Sequence, residues 1–217
     1  MLLQTVLIID PKYGEQDPDT NMVLTRWQVM PSGSRVLEVG CHDEHLCRIL
    51  ADNGYDMYGI DLRADDGGQF PLNFTRIQGD FVQFPFAPEA FDMVVSTSAL
   101  EHFGLGTYGE AFTDPEYDRK AASRIHEVLK PGGVFHCTVP YWTHDFLVSG
   151  GDFRLYDQKG LTERIIGEFE VEEQQLFKSA GYACPDDGGN PPLVKEEDTR
   201  ALGPDPHLGV FLKLRKR

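Results

Sequence analysis

Four short apolar runs of the chain each end in a polar group that can meet a ligand. They close on Glu38-Val39-Gly40, on Asp61, on Asp80 and on Ser96. An acid about 20 residues beyond a glycine-ended first strand suits a ribose, because carboxylate oxygens accept hydrogen bonds from two vicinal hydroxyls. An acid at the third strand end, Asp80, can accept from the amino group of an adenine. Together they read as two anchors for one nucleoside-like ligand. Each acid alone reads as readily as a helix cap, so the specificity lies in the ordered set. His102 and His144 follow the fourth and fifth apolar runs. Histidine is the side chain best tuned to move a proton near neutral pH.

Positioning these groups requires alternating strands and helices. The runs Arg35–Gly40, Met57–Asp61, Thr75–Asp80, Phe91–Ser96, Val134–Val139, Glu170–Phe177 and Leu208–Leu214 read as strands. Leu46, Ile49 and Leu50 recur at helical spacing and Asn53-Gly54 closes that helix. Asp114 is expected to cap a longer helix, with Pro115 in its first turn and Ala121, Ala122, Ile125, Val128 and Leu129 on its inner face. Lys130-Pro131-Gly132-Gly133 ends it. Asp157 is expected to cap a helix through Leu161, Ile165 and Ile166. This alternation predicts an α/β fold: a doubly wound, mostly parallel seven-stranded sheet with helices on both faces and a C-terminal antiparallel strand pair. Residues 1–34 read as an appendage or lid with a helix around Asn21 to Met30. Residues 35–217 read as the main domain, with an irregular, acidic insertion at about 179–206.

Lysine plus arginine is 20 against 35 aspartates and glutamates, a net charge of −15 over 217 residues. That argues against nucleic acid and an anionic membrane surface as partners, since phosphates need a basic face. No apolar run reaches the roughly 18–20 residues of a membrane span, and no signal peptide is read in Met1–Asp10. Cys41, Cys47, Cys137 and Cys184 lack CxxC spacing and read as reduced cytoplasmic cysteines. No metal-ligand constellation is read among the seven histidines. The sequence leaves the oligomeric state open.

The chain resembles the class I S-adenosylmethionine-dependent methyltransferases over about residues 34–217. The carrying residues are Val36-Leu37-Glu38-Val39-Gly40-Cys41, Gly59-Ile60-Asp61, Gly79-Asp80-Phe81, Phe91-Asp92-Met93-Val94-Val95-Ser96 and Val128-Leu129-Lys130-Pro131-Gly132-Gly133. The stretch Glu101-His102-Phe103-Gly104-Leu105-Gly106-Thr107-Tyr108-Gly109 is similar to a poorly characterised methyltransferase-like branch, and its first four residues to cyclopropane-fatty-acid-type synthases. The resemblance implies S-adenosyl-L-methionine as cofactor. It places Glu38 and Gly40 at the methionine portion, Asp61 at the ribose, Asp80 at the adenine amino group and Phe81 at the adenine ring edge; Leu62 and Ser96 are further expected cofactor contacts, and His42, in the altered loop, is an expected contact to the amino-acid tail. One departure stands out: the usual Gly-x-Gly-x-Gly loop here reads Gly40-Cys41-His42-Asp43-Glu44-His45, keeping one glycine.

Methyl transfer is a displacement on a sulfonium, and an alcohol acceptor benefits from a general base. The expected bases are His102 and His144; each also reads as a packing residue. Tyr141, Trp142 and Arg154 are the expected substrate contacts, and an internal salt bridge is the alternative for Arg154. The implied function is methyl transfer to a small polar metabolite, at oxygen. A non-catalytic nucleoside- or partner-binding member of the fold is the alternative that the altered loop keeps open. A nicotinamide oxidoreductase would need glycines where His42 and His45 stand.

Overall fold

The computed structural model describes residues 7–10, 17–42, 45–64, 70–110, 112–142, 147–149, 151–179, 193–194 and 208–217. In chain order the elements are α1 (Pro18–Thr25), β1 (Arg35–Val39), α2 (His45–Asp52), β2 (Asp56–Asp61), β3 (Phe74–Gln78), β4 (Phe91–Thr97), α3 (Tyr117–Val128), β5 (Leu129–Pro140), β6 (Leu147–Ser149), β7 (Phe153–Leu155), α4 (Gln158–Leu161), β8 (Glu170–Lys178), β9 (Leu193–Val194) and β10 (Leu208–Arg215). A turn of 3-10 helix spans Leu100–His102, and a π-helical turn, Thr162–Ile166, continues α4.

The main sheet runs β3-β2-β1-β4-β5-β10-β8-β9. The first five strands pair in parallel, while β10 is antiparallel to both β5 and β8. The seven expected strands are all present, and the two-residue β9 adds an eighth at the edge. The chain lays β2 and β3 to one side of β1, then returns to lay β4 on the other. The reversal between β1 and β4 is where such sheets bind ligands.

Alternation within each strand splits the core between two faces. Val36, Met57, Met93, Val95 and Val134 face one way and pack with Met22 and Val23 of α1 and Ile49 and Leu50 of α2. Leu37, Val39, Ile60, Val94 and Phe135 face the other way, against Ala121, Ile125 and Val128 of α3 and Leu161, Ile165 and Ile166.

Three local expectations shift. The N-terminal helix is Pro18–Thr25, not Asn21 to Met30: Asp17 caps it by accepting the N–H groups of Asp19 and Thr20. Its Met22, Val23 and Leu24 are buried in the same core as Val36 of β1. The helix α3 begins at Tyr117 because Asp114 spends its carboxylate on the Glu116 N–H, closing a turn ahead of the helix. The insertion lies almost wholly outside the described residues; Ser179 and Leu193–Val194 are seen, the latter paired to β8.

Candidate functional site

Gly40 turns the chain out of β1 at φ +83°, and a Cβ there would sit 2.3 Å from Ala99 Cβ. Only glycine fits this approach of the first strand end to the fourth. Just before it, Glu38 is buried. Its Oε1 accepts from Thr97 Oγ1 at 3.4 Å, the Cys47 thiol and backbone N–H also donate to its carboxyl, and Oε2 has no partner. Burial pushes its pKa up to about 7, and the Cys47 and Thr97 hydrogen bonds act the other way. His42 is half-buried with Nδ1 shielded and unpartnered, whereas His45 is exposed at the start of α2. Asp43 and Glu44 lie outside the described residues.

Asp61, at the end of β2, is buried and held by Arg63. The Arg63 backbone N–H and Nε donate to Oδ1 at 2.9 and 3.0 Å, and Nη2 donates to Oδ2 at 3.2 Å. Leu62 beside it is half-buried and its carbonyl accepts from Gln78. Asp80 accepts from the Val82 N–H, from Gln83 Nε2 and from the Tyr117 hydroxyl, the last at 2.5 Å. It therefore serves the turn after β3 as well as facing the strand ends. Phe81 is buried in the core beside Phe86.

Beyond β4, Ser98 takes a left-handed φ of +46°, and its N–H donates to the Thr138 carbonyl and hydroxyl. Its own hydroxyl donates to Glu101 Oε1 at 2.6 Å. Glu101 is buried with Oε2 unpartnered, and burial pushes its pKa up to about 8. Asp19, at the first turn of α1, accepts from Ser179, and burial lifts its pKa to about 6. The structure thus holds three buried carboxyls, Glu38 in β1, Glu101 beyond β4 and Asp19 in α1.

His102 Nδ1 lies 2.6 Å from the Asp152 carbonyl. A carbonyl only accepts, so Nδ1 carries the proton and the neutral ring has its lone pair on Nε2. Nε2 is 3.9 Å from Glu101 Oε1. Burial lowers the His102 pKa below the ordinary histidine value, and the nearby Arg63 adds to that. The ring meets Tyr108 and Phe153 edge-on, at 5.0 and 6.2 Å between centroids.

Three expected contacts are corrected. Ser96 is wholly buried and its hydroxyl donates to the Val39 carbonyl, stitching β4 to β1, so it does not face a ligand. Arg154 is wholly buried. Its Nη1 donates to the carbonyls of Glu101 (3.1 Å) and Phe103 (2.7 Å), Nη2 donates to Pro115 (3.2 Å), and Nε lies 3.5 Å from Asp118. It clamps the 101–115 loop rather than a substrate. Tyr141 is buried in the core, bridged to Tyr156. Trp142 is half-buried beside it, and His144 lies outside the described residues. Thr97, Ser98, Thr138 and Arg63 were not foreseen. Arg63 had a signal, an arginine two residues after a strand-end acid; Thr138 had none, because it meets Ser98 only through strand pairing.

Strand order and reversal point define a Rossmann-like α/β protein. A family model for the methyltransferase domain matches residues 21–200. An uncharacterised methyltransferase of Geobacillus sp. (strain WCH70) is 30% identical over 156 residues, covering 60% of this chain and 71% of the relative. Another, from Geobacillus kaustophilus, is 32% identical over 106 residues, covering 47% and 45%; the match spans about half the length of several such relatives. The 1,6-didemethyltoxoflavin-N1-methyltransferase of Burkholderia thailandensis, solved with S-adenosylhomocysteine, shares the fold at TM-score 0.60 and 14% identity, covering 85% of this chain and 72% of that one. The chain belongs to the class I S-adenosylmethionine-dependent methyltransferases, an enzyme family whose cofactor is S-adenosylmethionine.

Proposed function

We propose that the chain transfers a methyl group from S-adenosylmethionine to an oxygen of a small polar metabolite, with His102 as general base. The observation that carries this reading is the His102 ring, fixed by the Asp152 carbonyl so that Nε2 holds the free lone pair. Its lowered pKa keeps it unprotonated at neutral pH, the form a base needs. The residues fit the cofactor. The orphaned Glu38 Oε2 can accept from the ammonium of the methionine portion, the unpartnered His42 Nδ1 can hydrogen-bond to its polar groups, and Gly40 lets the backbone come close. Asp61 takes the ribose, and Asp80 with the Leu62 and Phe81 segments borders the adenine. Bound, the cofactor supplies an electrophilic methyl on a sulfonium. Trp142, rather than the core-buried Tyr141, is the aromatic left to border the acceptor. The acidic balance of the chain favours a small-molecule acceptor over nucleic acid, and among the described residues no helix is long and apolar enough to cross a membrane.

The test is a methyl-transfer product assay over polar hydroxyl compounds, with calorimetry of S-adenosylhomocysteine. His102→Ala is expected to lower turnover by about 10²–10⁴-fold while cofactor affinity stays within a few-fold. Unchanged turnover in that variant moves the base to His144 or removes it. Binding of S-adenosylhomocysteine with no product from any acceptor favours the second reading, a non-catalytic nucleoside-binding protein. The single-glycine loop and the occupied Asp61 carboxylate are its support.

A further inference from the structure

We propose that Arg63 is a positioning residue that couples occupation of Asp61 to the loop carrying His102. The inference rests on reading Asp61 as the ribose acid and His102 as the base. The Arg63 guanidinium meets both Asp61 oxygens, and its other face lies 4.3 Å from the centroid of the Tyr108 ring. Tyr108 in turn meets the His102 ring edge at 5.0 Å. The His102 Nδ1 and the neighbouring Thr107 hydroxyl converge on one acceptor, the Asp152 carbonyl, at 2.6 and 3.0 Å. A continuous line of contacts therefore joins the strand end of β2 to the proposed base on the other side of the reversal point.

That line is sensitive to a diol. A carboxylate offers about four acceptor positions, and Arg63 already fills three of them on Asp61, across both oxygens. Vicinal hydroxyls arriving at Asp61 compete with the guanidinium. A guanidinium that gives way changes its seat over Tyr108, and so the packing around His102. The backbone of this corner is itself pinned, since Arg76 Nη2 donates to the Arg63 carbonyl and Gln78 to the Leu62 carbonyl. Movement is thus directed into the Arg63 side chain rather than the strand end.

The experiment follows the His102 imidazole by heteronuclear NMR while S-adenosylhomocysteine is titrated, with calorimetry in parallel. In the unaltered protein, binding is expected to shift the His102 ring signals. Arg63→Gln is expected to bind the probe within about fivefold of the parent or more tightly, as loss of a partly exposed ion pair allows. Its His102 signals should already be displaced before the probe is added and should move by less than half as much on binding. Tyr108→Leu should behave in the same way, and Tyr108→Phe, which keeps the ring, as the parent. Ring signals that stay fixed on binding, or that shift equally in parent and Arg63→Gln, overturn the coupling while leaving the cofactor reading intact. A parent protein that binds no S-adenosylhomocysteine overturns both.

Discussion

A carboxyl kept neutral by burial gives up its proton when a cation arrives, and Glu38 is such a group. Its pKa of about 7 comes from desolvation, and Oε2 has no partner. A bound ammonium favours the carboxylate and lowers that pKa. Cofactor binding is therefore expected to release a proton, and affinity should rise as pH passes from 6 to 8 through about 7. Calorimetry of S-adenosylhomocysteine in buffers of different ionisation heat measures both. An affinity flat across this range, with no proton released, would count against Glu38 as the contact. At this scale the acids at the strand ends were legible because they sit at the close of apolar runs. Ser96 was misread because its burial and its partner come from long-range packing, whereas the internal ion pair weighed for Arg154 is present, with Asp118. The Val39 carbonyl that receives Ser96 belongs to a strand 57 positions away, and no spacing rule reports it.

At the scale of elements, the remaining glycine carries the loop. Gly40→Ala adds a Cβ against Ala99 and forces a left-handed φ on alanine. The expected cost is about 2–4 kcal/mol, from overpacking plus backbone strain. Urea unfolding should show it, and Ala99→Gly should restore the packing share and leave about 1 kcal/mol of strain. The 101–115 loop is a second unit. Besides the Arg154 clamp, Gly104 approaches the Asp114 carbonyl and Tyr117 so closely that no Cβ fits, and Glu110 accepts the N–H groups of Gly104 and Tyr108. Beneath it, Asp118 is fully buried between Arg164, the Tyr156 hydroxyl and Arg154. Removing Arg154 leaves that carboxylate short of charge and takes the donor from the Glu101 and Phe103 carbonyls, while Pro115 keeps Arg164. Arg154→Leu is expected to cost about 3–5 kcal/mol, and Arg154→Lys to recover little, because an ammonium cannot span the same fork. Denaturant midpoints decide it. The strands were readable because each is a continuous apolar run. The start of α3 was not, since the Asp114 side chain could serve either the helix or the turn before it.

Over the whole molecule, buried ionisable groups oppose each other across pH. His136 lies between Trp27 and Phe211 with both ring nitrogens unpartnered, and burial drives its pKa down to about 3. Its neutral form favours the fold above the ordinary histidine value of about 6.5, and that contribution is lost as pH falls toward 3. Asp19, Glu38 and Glu101 do the reverse. With folded pKa values of about 6, 7 and 8, their neutral forms favour the fold below the ordinary carboxylate range, and that contribution is lost as pH rises through those values. A net charge of −15 adds self-repulsion on the alkaline side. The ligand-free protein is expected to melt highest in mildly acidic buffer and to fall off by pH 8, with added salt recovering part of the loss. Thermal scans across pH and ionic strength test this, and a Tm that climbs steadily to pH 8 would contradict it. The composition announced the charge; it was silent on which carboxyls stand indoors, because that depends on which strand ends meet.

The position of β10 governs how the chain can be made. Residues 208–215 lie between β5 and β8, joining the parallel half of the sheet to its far edge. As the polypeptide leaves the ribosome, β1 to β5 can assemble through crossovers as they emerge. β5 then keeps one open margin, and β8 has no central neighbour until residue 215 is free. The final closure joins partner residues 69 to 81 positions apart and is a slow, long-range pairing. Until then the nascent chain exposes a bare β-edge, the condition in which holding chaperones protect a protein from its neighbours.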